Sequence, residues 1–443
     1  MLNRLLSGPG IALLAGWLAA GLGAAEPRAV TILHTNDLHA RLLPLEDGTG
    51  GFAELAAVVR EERRNCSWCV LVNAGDLVQG SPVSTIYRGL PVYQIGNLFG
   101  FDVATIGNHD WDYGWERLRE FMKIARYPMV AANIVDGGGA LMTGKPYVVK
   151  TVNGVRVAFL GAVTEELKTL TTPKLRGPWR AEDVIARVRR YAGEAAKRAE
   201  LLVLVAHVSE REEQALLDSD LPVPVMVTGH AHRGLERARS ANGHVLARVK
   251  AYAQELGRLD LKFDPRTRRV ESWQWKRIRV EANGVKPAPD VARQVARWEA
   301  EVSKVVDVPI GEARRQLDKP AVKALIERAM RERMGADFAF MNMGGVRDIL
   351  PAGRLLARHV WNIMPFDNKI VMGRFNGSQL PETVTAGRHI DPERQYTLAT
   401  SDFTAANQGA PGELRSTGLV FPVEGPLLRD AVIEWIRRKK VAD

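Results

Sequence analysis

Ile32-Leu33-His34-Thr35-Asn36-Asp37-Leu38-His39 reads as an apolar strand that ends in a carboxylate and an imidazole two residues apart. Side chains alternate across a strand, so Asp37 and His39 reach one site only if the backbone bends there. Four further runs end in similar clusters: Gly75-Asp76, Gly107-Asn108-His109-Asp110, Ala206-His207 and Gly229-His230-Ala231-His232. The chain has nine histidines, and five of them lie in these clusters. Zinc, manganese and iron accept imidazole nitrogen alongside carboxylate oxygen, so the set suits two such divalent cations. Paired metals can share one carboxylate and ionise a water, which makes metal-dependent hydrolysis the expected chemistry.

Working outward, strand-like runs at 29–33, 70–73, 103–106, 129–133, 155–161, 201–206 and 224–228 alternate with helical patterns. The helical patterns fall at 51–64, 114–125 and 181–200, an α/β layout. Runs at 244–249, 258–263 and 270–280 resemble antiparallel strands and are expected to close a second sheet. The stretch Lys286-Pro287-Ala288-Pro289 opens an amphipathic helix over 290–306, with Val291, Val295, Trp298 and Val302 near one face. That helix is the expected connector between two domains. Another helix at 321–334 and a strand-like run at 337–342 follow. The expected division is a signal peptide at 1–25, a first domain at 26–285, a linker helix at 286–306 and a second domain at 307–443.

Composition narrows the partners. Lys and Arg outnumber Asp and Glu by 61 to 51, a formal charge of +10 that attracts anions. No block of five like charges occurs, so a nucleic-acid polymer is not the expected partner. Arg4, the apolar stretch 11–20 and the small residues 21–25 read as an export signal cleaved after Ala25. Its core is shorter than a membrane span needs, so a periplasmic or secreted protein is expected, with no stable span after signal removal. Export permits Cys66 and Cys69, the only two cysteines, to close a small disulfide loop; two free thiols are the alternative.

The series of clusters resembles the calcineurin-like metallophosphoesterases, in particular the exported 5′-nucleotidase and UDP-sugar hydrolase branch. The likeness covers about residues 29–265, opening with Ile32 to His39 and continuing through Gly75-Asp76 to Gly80-Ser81. It implies a four-layer α-β-β-α sandwich followed by a smaller α/β substrate-binding domain. It also implies two divalent metal ions, zinc, manganese or similar. Asp37, His39 and His232 would hold the first and Asn108, His207 and His230 the second, with Asp76 shared. His109, oriented by Asp112, would act on the phosphate while a metal-bridging hydroxide attacks phosphorus. Asp110 is expected to cap the loop or support the ligands from behind, and Asp102 and His34 to be structural.

Farther along, Phe338-Ala339-Phe340-Met341-Asn342-Met343-Gly344-Gly345-Val346-Arg347-Asp348 resembles the same branch's C-terminal motif. By that resemblance Asn342, Gly344, Gly345 and Arg347 bind substrate, while Phe366 and Phe403 sandwich a base. The family's arginine near the start of this domain has no aligned counterpart, although Arg314, Arg315 and Lys319 are nearby. The implied activity is release of phosphate from nucleoside 5′-monophosphates. Alternatives are a thiosulfohydrolase of sulfur oxidation, a UDP-sugar or 2′,3′-cyclic-nucleotide hydrolase, and a metal-binding protein without turnover.

Overall fold

The computed structural model describes residues 26–385, 387–409 and 414–442. The expected signal peptide lies outside the described residues. Two sheets form the first unit. One runs in the order Arg269–Arg279, Glu255–Asp264, Arg28–Thr35, Cys69–Ala74, Val103–Thr105. The other runs Arg239–Ala241, His244–Ala247, Val225–Gly229, Leu201–His207, Val155–Val163, Tyr147–Val152.

The central strands are parallel and carry Val, Ile and Leu on both faces, because both faces are covered. Val30, Ile32, Val70 and Val72 from the first sheet share one core with Phe159, Leu201, Val203 and Val225 from the second. Helices Phe52–Arg64 and Trp115–Ile124 cover the outer face of the first sheet. Helices Val184–Ala195 and Glu210–Asp218 cover that of the second. The four-layer α-β-β-α sandwich follows.

Three expectations change. The run at 129–133 forms no strand. Met129 makes only a single parallel bridge to Ala104, through Val130 N–H to Ala104 O, and Ala132 N–H then donates to Gly161 O, so the segment crosses between the sheets. Strand His244–Ala247 lies parallel to Val225–Gly229 within the second sheet. The hairpin Glu255–Arg279 instead returns to the first sheet and pairs with Arg28–Thr35. The helical pattern at 181–200 narrows to Val184–Ala195, and helices at Pro82–Ile86, Leu90–Gly96 and Glu210–Asp218 were not foreseen.

Helix Pro289–Val306 buries Val291, Val295, Val302 and Val306 against the core containing Phe52 and Phe99. Arg60 grips Asp290 through two bonds of 2.7 and 2.8 Å. Beyond it, a four-stranded sheet runs Phe338–Ala339, Gln395–Ser401, Lys369–Asn376, Val423–Leu427. Helices Lys319–Met334 and Leu428–Lys439 pack on it through Ile326, Met330, Val432 and Ile436. Cys66 and Cys69 are disulfide-bonded. No described helix is long and apolar enough to cross a membrane.

Gly161 packs so closely that a Cβ there would stand 1.9 Å from Val130 O. Gly161→Ala must therefore displace the crossing segment and should cost about 1–3 kcal/mol in urea unfolding, as overpacked cores do. Unaltered stability would show that the segment yields freely.

Candidate metal centre

All five clusters arrive at one place because the parallel strands end at one edge of the sandwich. Asp37 and Asp76 follow adjacent strands of the first sheet, and their loops are joined by Asp37 N–H to Gly75 O and His39 N–H to Asp76 O. His207 and His230 follow adjacent strands of the second. His207 Nδ1–H crosses between the sheets to Ala74 O at 2.8 Å. Gly107 cannot carry a side chain, since a Cβ would fall 2.0 Å from Asp76 Oδ1.

The bend required at Asp37-Leu38-His39 is supplied by left-handed backbone. Asp37 has φ +51°, His39 +49°, Asp76 +54°, His230 +90° and His232 +58°. Such conformations cost on the order of 1–3 kcal/mol each in residues other than glycine and cluster where a site dictates geometry. Five of the seven predicted ligands carry this strain, which ordinary core packing does not demand.

Hydrogen bonding establishes which ring nitrogens are free. A carbonyl only accepts, so His207 Nδ1 and His39 Nδ1, which face Ala74 O and Gln79 O, carry the protons. His39 Nε2 then points its lone pair inward, while His207 Nε2 faces two acceptor oxygens. His39 Nε2 meets His232 Nε2 at 2.8 Å. His207 Nε2 meets Asn108 Oδ1 at 3.0 Å and Asp76 Oδ2 at 3.1 Å. The His207 ring carries the charge that faces Asp76 and Asn108, and a cation bound there would take the place of its Nε2 proton.

Two groups of donor atoms result. Asp37, His39, Asp76 and His232 place one atom each within 4.8 Å of one another, and so do Asp76, His207 and His230. Asp76 belongs to both. Its Oδ1 accepts from His109 N–H at 2.8 Å, while its buried Oδ2 has no hydrogen-bond partner. Burial holds His39 and His232 well below the ordinary histidine range and His230 at about 3, keeping these rings neutral and able to ligate. Burial also opposes charge on His207, but Asp76 and Asp37 outweigh it and push that ring up to about 9. The residues present fit a pair of divalent cations.

Beside this cluster, His109 Nδ1 bonds Asp112 Oδ2 at 2.9 Å. Asp110 caps the loop as expected, accepting from Gly107 N–H and Tyr93 O–H. His34 accepts from Trp275 Nε1–H, and Asp102 pairs with Arg63 and Lys150.

The second domain reaches this edge. The Phe366 ring lies 5.8 Å from His109, and the Arg347 guanidinium lies 6.0 Å from Phe366. Arg347 keeps one buried Nη without a partner. Asn342 is buried, and Gly345 packs so tightly that a Cβ would stand 2.2 Å from Met341 Cε. Gly344 has room for a side chain. Phe403 lies in the short helix Asp402–Ala406, and no ring contact joins it to Phe366 among the described residues.

Several neighbours were not foreseen. Gln79 O and Tyr252 O–H orient His39 and His232, and both residues have positive φ. Asn36 donates to Asp37 Oδ2 at 2.7 Å. Arg41 bonds Asp348 at 3.0 Å across the domains. Lys319, one of the cations near the family's missing arginine, sits in that same group: burial lowers its pKa, and Arg347 and Arg41 lower it further against Asp348.

Residues 30–234 match the calcineurin-like phosphoesterase family, and residues 302–386 match the 5′-nucleotidase C-terminal domain. The first unit is thus a calcineurin-like phosphoesterase domain, and a 5′-nucleotidase C-terminal domain follows it. Protein UshA of Yersinia enterocolitica is 24% identical over 86% of this phosphoesterase and 80% of its own length. Endonuclease YhcR of Bacillus subtilis is 25% identical over 96% of this chain, which spans only 41% of that relative. A 5′-nucleotidase precursor of Thermus thermophilus shares the fold at TM-score 0.84 and 20% identity, covering 94% and 97% of the two chains. Sulfate thiohydrolase SoxB of the same organism shares it at 0.80 and 17%, covering 93% and 94%.

A shared carboxylate has a stoichiometric consequence. Asp76→Ala should abolish binding of both equivalents of zinc in elemental analysis, whereas His232→Ala should retain one. Loss of a single equivalent in Asp76→Ala would place Asp76 at one ion only.

Proposed function

We propose that this phosphoesterase is an exported two-metal phosphohydrolase that releases phosphate from nucleoside 5′-monophosphates. The reading is carried by one juxtaposition: the His109–Asp112 pair, Phe366 and Arg347 at the mouth of the Asp37/Asp76 cluster. In this reading the metal-dependent unit is 26–285, the linker 286–306 and the substrate domain 307–443.

Asp37, His39 and His232 would hold one cation and Asn108, His207 and His230 the other, with Asp76 available to both. When bound, the pair supplies Lewis acidity that ionises a water and offsets phosphate charge. The chain's own side chains do the rest. Asp112 accepts from His109 Nδ1 and fixes the ring, leaving Nε2 to meet the phosphate or the leaving oxygen. Burial opposes the charged ring, but Asp112 and Asp76 outweigh it and raise its pKa above the ordinary histidine value. A cationic imidazole there stabilises charge that develops in the transition state.

Arg347, with a free Nη, matches a phosphate oxygen through paired N–H donors. Arg41 and Lys319 add positive charge, and Asp348 offsets part of it. Phe366 offers a flat face to a heterocycle, and Phe403 is the second face in this proposal. Asn342 and the Gly344-Gly345 turn line the nucleoside side.

Phosphate release from nucleoside monophosphates should stop on chelation and return when zinc or manganese is added. A panel with sugar nucleotides, cyclic nucleotides, a cysteine S-sulfonate peptide and an oligonucleotide tests the substrate class. Failure of metal-replete protein to release phosphate from any monophosphate would overturn the reading. His109→Asn should lower kcat by about 10²–10⁴-fold with metal content unchanged, as loss of a general acid does. Full turnover in that variant would remove His109 from the chemistry.

A further inference from the structure

Behind the loop that carries His230 and His232 lies a buried ion pair that the proposed reaction does not use. Arg248 is 1% exposed and Glu213 is fully buried; they meet at 2.6 Å, Nη1 to Oε1. The pair is tied to both ends of the loop. Thr228, just before Gly229, donates its Oγ1–H to Glu213 Oε1 at 2.6 Å. Arg248 Nε donates to the carbonyl of Arg233, just after His232, at 2.9 Å.

The wiring extends further on each side. Arg248 Nη2 donates to Glu210 Oε1 at 3.0 Å, and Glu210 also holds the Arg233 guanidinium. Leu235 N–H donates to Arg248 O at 3.0 Å. Val249, the next residue, exchanges two bonds with the Asn36 side chain, which in turn holds Asp37. The second oxygen of Glu213 faces Arg239 at 3.7 Å.

Stability does not explain such a pair. Removing two charges from water costs several kcal/mol per ion, and apolar replacements of similar volume are often neutral or stabilising. Apolar side chains cannot, however, donate in three fixed directions from one plane, as a guanidinium does. The loop needs that restraint, because His230 at φ +90° and His232 at φ +58° are both strained.

We infer that Glu213 and Arg248 form a positioning clamp that sets the spacing of His230 and His232 and so the affinity for cations at both positions. Neither residue touches substrate or ion. The clamp rests on the two-metal reading proposed above, and its test separates the two.

The informative variant is Arg248→Met with Glu213→Leu, which strands no charge. Its metal-free form should unfold at the wild-type temperature. Its zinc affinity, titrated against a competing chelator, should fall about 10–100-fold, as when partners behind metal ligands are lost. The visible absorption of the cobalt-loaded protein should also change. Affinity within two-fold of wild type and an unchanged cobalt spectrum would overturn the clamp.

Arg258→Met with Glu62→Leu, a pair that joins the other sheet to helix Phe52–Arg64, is the control and should leave affinity intact. If the double variant does not fold, Thr228→Val removes one bond of the clamp and should still weaken zinc several-fold; wild-type affinity there overturns the proposal. If wild-type protein itself binds no zinc, the metal-centre reading fails, not the clamp alone.

Discussion

Asp37 and Asp76 bring two fully buried carboxylates against the inward Nε2 atoms of His39 and His207. Buried like charges repel, and a positive centre offsets them. The charged His207 ring supplies one where no ion is bound, and its location fixes much else. It explains why His39 and His207 give their protons to backbone carbonyls behind them. It explains why Asp76 Oδ2 stays unbonded beside His207 at 3.1 Å and His39 at 3.7 Å. It also explains why strained backbone is tolerated at five ligands: each left-handed residue turns a side chain inward that an extended strand end would turn away.

Residue type and location were legible in the sequence; backbone direction and sheet membership were less so. Each cluster follows an apolar run, and such runs are parallel strands whose ends share an edge. Asp37-Leu38-His39 announced that a bend was needed, though nothing in its letters specified φ near +50°. Gln79 and Tyr252 escaped notice because they act through a carbonyl and a hydroxyl held by backbone of the same unusual sign. Sheet membership failed at 129–133 and 255–279, since alternation reports burial and not the neighbouring strand. Some missed elements did carry signals. Ser209 and Glu212 form a capping box, and Pro82 and Pro91 occupy first-turn positions of short helices.

The two domains meet through charge as much as through packing. Arg41 lies two residues past His39, and Asp348 lies next to Arg347, so their ion pair joins the first metal loop to the glycine turn of the second domain. Thr85 Oγ1 donates to Pro365 O at 2.8 Å beside Phe366. Arg358 holds Glu299 and Asp307 near the end of the connecting helix. Three cations, Arg41, Lys319 and Arg347, gather against one carboxylate, Asp348. The rim therefore favours an anion whose charge also faces the metal cluster. In the proposed reading this fixes orientation, with phosphate drawn inward and Phe366 receiving the uncharged end.

The order of folding and metal binding can be argued from where the ligands sit. In small zinc modules the metal creates the fold, because there is little else to bury. Here the ligands stand at the ends of strands already fixed by a core of Val30, Ile32, Val72, Phe159, Val203 and Val225, none of which touches the site. Metal-free chain therefore has reason to fold into the same sandwich, with repulsion and strain confined to its loops. The buried pair behind the 229–233 loop fits that division of labour. Sheet packing brings His230 and His232 to the edge, and hydrogen bonds to Thr228 and Arg233 hold them within reach of a cation before one arrives.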